Sequence, residues 1–117
     1  MRLNEIDYNE SKPIDGYGPG FFRVGGEALE APLVVSPAGP AAWGGLDDAE
    51  TLAALAEEVD VLLVGTGAEI AHIPAALRAR LEEAGLGVET MASPAAARTY
   101  NVLLSEGRRI AVALLGV

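Results

Sequence analysis

Two rhythms of hydrophobic and polar residues run along this chain. In its second half, continuous apolar runs alternate with stretches where apolar residues recur at helical spacing. Val61-Leu62-Leu63-Val64 and Ile110-Ala111-Val112-Ala113-Leu114 read as strands covered on both faces, and Leu86-Gly87-Val88-Glu89 as a shorter one. Leu52, Leu55, Ala56 and Val59 follow Asp47-Asp48, which predicts an amphipathic helix with acids at its positive end. Pro74 opens a second helix whose inner face holds Leu77, Leu81 and Ala84, and Gly85 stops it. Ser93-Pro94 reads as an N-cap hydroxyl followed by a proline at the first helical position. That third helix carries Ala96, Tyr100, Leu103 and Leu104 and ends before Gly107.

The first half has the shorter rhythm. Leu3, Ile6 and Tyr8 alternate weakly with polar residues and suggest an edge strand. Ile14 to Gly20 packs three glycines and a proline together and reads as an irregular loop. Phe21-Phe22-Arg23-Val24 and Glu27-Ala28-Leu29 flank Gly25-Gly26, the two-residue spacing of a tight β-hairpin. Leu33 to Ser36 is a short strand between prolines, and the stretch from Pro37 past Gly39 and Pro40 to Trp43 reads as loop. Strands followed by alternating helices and strands predict an α/β fold: a single three-layer domain over residues 1–117. Its mixed central sheet has about five strands, with helices on one side and an extra β-hairpin layer.

Charge and composition narrow the functions. The net charge is −9, and it is uneven: residues 1–60 hold twelve acids and three bases, whereas residues 61–117 hold five of each. Phosphate backbones demand clustered Lys and Arg, so no nucleic-acid partner is expected. The chain has no cysteine, which removes thiolate metal ligands and thiol nucleophiles, and its one histidine, His72, builds no metal site alone. No serine sits in a nucleophile-elbow motif. Neither catalytic residue nor metal site nor cofactor is therefore expected. Apolar runs are too short for a membrane span, and the acidic opening residues are unlike a targeting segment, so the cytosol is the expected compartment.

Four pieces carry a resemblance: Ile14-Asp15-Gly16-Tyr17-Gly18-Pro19-Gly20-Phe21, Trp43 in a loop, Gly65-Thr66-Gly67 after a strand, and Met91 to Asn101 followed by Glu106-Gly107-Arg108. Together they resemble the respiratory complex I assembly factor 3 family, which also holds many bacterial and archaeal proteins. The most specific piece is Ala95-Ala96-Ala97-Arg98-Thr99-Tyr100-Asn101. The resemblance implies a mixed five-stranded sheet with extra strands and a non-catalytic helper role. On this reading the chain is an accessory or adaptor protein that assists assembly of a membrane or respiratory complex through a protein partner.

The candidate residues fall into two groups. Ligands of open α/β sheets bind beyond the carboxyl ends of strands. Gly65, Thr66, Gly67 and Ser93 would meet there, with Arg98, Tyr100 and Asn101 one to two turns further on. This defines the alternative reading, a site that binds or acts on a small anionic metabolite. An echo of the dinucleotide fingerprint in Gly65-Thr66-Gly67 stops at Ile70, where the third glycine would stand. Equally, Ser93 caps its helix while Arg98 and Asn101 tie the Asp15–Gly20 loop to it. The second group is Tyr17 and Trp43, either interface anchors or covers for the core, and complementary charge between the halves would also suit self-association.

Overall fold

The computed structural model describes residues 12–117, and the edge strand expected around Leu3, Ile6 and Tyr8 lies outside them. Two sheets form. Strands β1 (Ile14–Gly18), β2 (Phe21–Val24) and β3 (Glu27–Glu30) make an antiparallel sheet in that order. Strands β4 (Leu33–Ser36), β5 (Gly39–Ala42), β6 (Val61–Gly65), β7 (Gly87–Met91) and β8 (Ile110–Leu114) make a mixed sheet ordered β5-β4-β8-β6-β7. Its β8, β6 and β7 run parallel, and β4 is antiparallel to both β5 and β8.

The mixed sheet and the additional β layer agree with the sequence reading. Two segments read as loops are strands: β1, despite its glycines, and β5, despite Pro40. Both are terminal strands among the described residues, where a missing N–H or a missing side chain is tolerated. The helices are α1 (Ala49–Ala53, continued by a 3₁₀ turn at Ala54–Glu57), α2 (Ala75–Glu83) and α3 (Ser93–Ser105). They do not share one side.

Handedness explains why. The crossover from β6 to β7 moves one way along the sheet, and the crossover from β7 to β8 moves back past β6. Right-handed connections therefore send α2 and α3 to opposite faces. Alternating side chains on each strand confirm the split. Leu62, Val64, Ala111 and Ala113 pack with Leu52, Leu77 and Leu81 of the α1–α2 layer. Leu63, Ile110, Val112 and Leu114 pack with Ala96, Ala97, Tyr100 and Leu104 of α3 and with Phe22 and Val24 of the small sheet. The third layer is thus half helix and half sheet.

Asp48 organises the entrance to α1. One carboxylate oxygen accepts from the Thr51 N–H at 3.3 Å, and the other accepts from the Gly44 N–H at 3.0 Å and from the Thr51 hydroxyl at 2.7 Å. The Trp43 indole N–H donates to the Asp48 carbonyl at 3.0 Å, which lets this large side chain lie in the core with its one polar atom satisfied. The Thr51 hydroxyl, followed by the backbone donors of Gly44 and Thr51, holds the Asp48 carboxyl below its ordinary pKa of 3.8. A depressed acid contributes stability that is present above the unfolded pKa and is lost as pH falls through the folded one. Thermal unfolding followed from pH 6 downward should therefore show an acid limb beginning near pH 4 that Asp48→Ala flattens, together with a lower Tm for the variant at neutral pH. Identical acid limbs would show that Asp48 contributes none of that dependence.

Candidate functional site

At the switch between the two crossovers, the carboxyl ends of β6 and β7 open toward opposite faces of the sheet. This is where open α/β sheets place ligands. Gly65, Thr66, Gly67 and Ser93 do meet there, but their polar groups face one another. The Ser93 hydroxyl accepts from the Gly67 N–H at 2.9 Å and donates to the Leu115 carbonyl at 2.7 Å, while the Ser93 N–H donates to the Gly67 carbonyl at 2.7 Å. Ser93 is fully buried. It is not the N-cap of α3: that position is Ala92, with no side-chain cap bond, and Ser93 already lies in the first turn. A single hydroxyl thus clasps the β6 loop, the start of α3 and the end of β8.

Each glycine here has its own reason. A Cβ on Gly65 would stand 2.7 Å from the Ser93 oxygen and 2.8 Å from the Ser93 Cα, so only glycine lets α3 come this close. Gly67 has φ +105°, which turns its N–H and carbonyl toward Ser93. The Thr66 hydroxyl accepts from the Ala71 N–H at 2.9 Å and donates to the Glu69 carbonyl at 2.8 Å, with the Met91 carbonyl 3.2 Å away. Thr66 therefore closes the loop after β6 on itself and leaves Ile70 at the crest, 66% exposed. An open depression of about 190 Å³ lies beside Ile70, Ala71, His72 and Thr90.

The α3 residues separate. Asn101 grips β1 with both ends of its amide: Oδ1 accepts from the Ile14 N–H at 2.8 Å, and Nδ2 donates to the Ile14 carbonyl at 2.7 Å. It ties β1 to the helix. Tyr100 is fully buried, and its hydroxyl has no hydrogen-bond partner among the described residues. Burial pushes the phenol pKa up to about 12. Arg98 is exposed and does not line this depression.

The two aromatic candidates part company. Trp43 is 4% exposed and belongs to the core beneath α1, so the covering role describes it and the anchor role does not. Tyr17 is 50% exposed, its ring 6.0 Å from that of Phe22. It lies near the strand tips, because the Gly20 N–H in the following turn donates to the Val117 carbonyl at 3.3 Å. Ile70 belongs to the same end and was visible in the sequence only as an apolar residue in a loop. Among the described residues no group of three or more His, Cys, Asp or Glu is placed to hold a metal ion, and no helix is long and apolar enough to cross a membrane.

Two substitutions test this geometry. Ser93→Ala leaves the Gly67 donor and the Leu115 acceptor buried and unmet, which should cost about 2 to 4 kcal/mol in urea unfolding. A loss below about 0.5 kcal/mol would mean that the clasp is dispensable. Tyr100→Phe removes a hydroxyl with no partner among the described residues and should raise stability by about 1 kcal/mol. A clear destabilisation would reveal a partner for that oxygen.

Residues 14–115 match the family model described as a protein of unknown function (DUF498/DUF598). An uncharacterized protein of Rhodobacter capsulatus is 52% identical over 115 residues, covering 98% of this chain and 93% of its own length. The zebrafish (Danio rerio) protein named NADH dehydrogenase (ubiquinone) 1 alpha subcomplex assembly factor 3 is 29% identical over 109 residues. That match covers 87% of this chain and 63% of the relative, so the chain spans less than two thirds of that assembly factor. Among solved structures, one titled an outer membrane protein from Bartonella henselae superimposes with a TM-score of 0.83 at 34% identity. It covers 92% of this chain and 96% of that one.

Proposed function

This chain belongs to the DUF498/DUF598 family, and from that membership we propose that it is an accessory protein that assists assembly of a membrane or respiratory complex by docking onto a protein partner. Kinship supports the assembly role, since the zebrafish relative bears the name of an assembly factor. The strand tips support docking over small-molecule chemistry. The hydroxyls of Thr66 and Ser93 donate to backbone carbonyls and accept from the Ala71 and Gly67 N–H groups, so these polar groups are spent on one another rather than offered to a ligand.

One observation carries the docking reading: two large apolar side chains, Tyr17 and Ile70, stand exposed at the same end of the sheet. Both sit on frames that hold them outward. Ile70 crowns the loop that Thr66 closes, and Tyr17 rides on a strand that Asn101 ties to α3. Aromatic and large aliphatic anchors on rigid supports lose little conformational entropy on binding and so contribute disproportionately to affinity. Localisation to the cytosol belongs to the same proposal, with the partner reached at the membrane surface or before its insertion.

Tagged protein purified from native membrane and soluble fractions should recover a respiratory or membrane-complex subunit in near-stoichiometric amount. The Tyr17→Ala, Ile70→Asp double variant should lower that recovery at least about tenfold, since anchor residues of this kind commonly contribute more than 1 kcal/mol each. Its Tm should change little, both side chains being exposed. Enrichment of no such subunit, or recovery indifferent to both substitutions, would overturn the proposal.

A further inference from the structure

Among the described residues, sheet β1-β2-β3 ends at β3 and the mixed sheet ends at β5, and these two terminal strands border one open depression of about 540 Å³. Leu29, Leu33 and Ala42 contribute apolar surface to it, while Glu27 and Glu30 stand at the two ends of β3. The depression is the unfilled mouth between two sheets whose inner faces meet further in, at Phe22, Leu33 and Val35.

Strand register decides which edge can accept another strand. Gly25-Gly26 closes the hairpin at Val24↔Glu27, and antiparallel pairs alternate between bonded and non-bonded. Phe22↔Leu29 is thus a bonded pair, and so is Gly20 with Ala31, whose N–H donates to the Gly20 carbonyl at 3.0 Å. Ala28 and Glu30 lie between those pairs, so each turns its N–H and its carbonyl away from β2. The same count on β5 starts from the Trp43 N–H, which donates to the Pro32 carbonyl at 3.3 Å. It turns Pro40 and Ala42 outward, and Pro40 has no N–H to give. Edge β3 therefore offers two donors and two acceptors at a strand's natural spacing, where β5 offers a single donor.

We propose that the outer edge of β3 receives an extended, lysine- or arginine-bearing segment of a partner protein, which adds as a strand in the mouth between the two sheets. Main-chain bonds to Ala28 and Glu30 give such a complex its register, and the depression takes alternate side chains. Charge selects the partner. The depression has two carboxylates and no base among its lining residues, and residues 1–60 carry a fourfold excess of acids. A second copy of this chain pairing edge to edge would bring Glu27 and Glu30 against their own kind, which disfavours self-association there. A basic segment meets attraction at both ends of the strand. The inference rests on the reading that the chain docks onto a protein, and it names the chemistry of one contact.

The test uses the purified chain, isotopically labelled, and a blocked octapeptide of alternating valine and lysine. Controls are the same peptide with glutamate in place of lysine, and one N-methylated on alternate amides. The valine–lysine peptide should bind with a Kd below about 1 mM at low salt. It should slow exchange of the Ala28 and Glu30 amide hydrogens at least about tenfold. N-methylation should weaken binding about tenfold or more by removing the main-chain bonds. The Glu27→Lys, Glu30→Lys variant should prefer the glutamate peptide.

Three results would overturn the proposal: no binding at about 1 mM peptide; binding that leaves those two amides exchanging as before or ignores N-methylation; or protection that appears with rising protein concentration and no peptide, which means a second copy takes the edge. Failure here alongside recovery of a respiratory subunit removes the β3 site alone. Peptide binding without such recovery removes the assembly role and leaves the site standing.

Discussion

A buried hydroxyl holds this fold together at its busiest junction. Ser93 meets the backbone of Gly67 on one side and of Leu115 on the other, and Gly65 clears the room for it. Without that contact the loop after β6, the first turn of α3 and the end of β8 would each leave buried backbone groups unmet. Because α3 is held so close to the strand tips, Asn101 two turns later reaches Ile14 and draws the small sheet against the core. The position of the third layer follows from one side chain at the start of the helix and another near its middle.

The same junction lies where sheets of this topology usually open a ligand crevice. Here the hydroxyls of Thr66 and Ser93 are turned inward, and two large side chains stand exposed: Ile70 on its loop and Tyr17 on β1. The site geometry of an α/β fold has become a scaffold for presenting side chains.

Much of the second half was legible in the sequence because its periodicities are long and regular, and each helix and parallel strand falls where the pattern places it. The losses come where local chemistry has two outcomes. Ser-Pro reads as a cap with a proline behind it, yet the partners of Ser93 lie 26 and 22 residues away, and nothing in the neighbouring sequence announces them. Segments such as Ile14–Gly18 and Gly39–Ala42 carry loop residues, and they form strands because terminal strands tolerate proline and glycine where inner strands do not. Tyr17 and Trp43 both sit among glycines, but burial depends on what packs over them. Asp48 and α1 cover Trp43, and nothing comparable among the described residues covers Tyr17.

The middle strand of the mixed sheet, β8, follows every other described element. On the ribosome, β4 and β6 emerge with an open slot between them that stays unfilled until residues 110–114 have cleared the exit tunnel. The hairpins and helices formed earlier can only wait as separate pieces, with Leu33, Val35 and Leu63 lacking the neighbour they will later pack against. Cooperative folding of the described residues must therefore wait for β8, and until it arrives their unfinished interior stays open to wrong contacts.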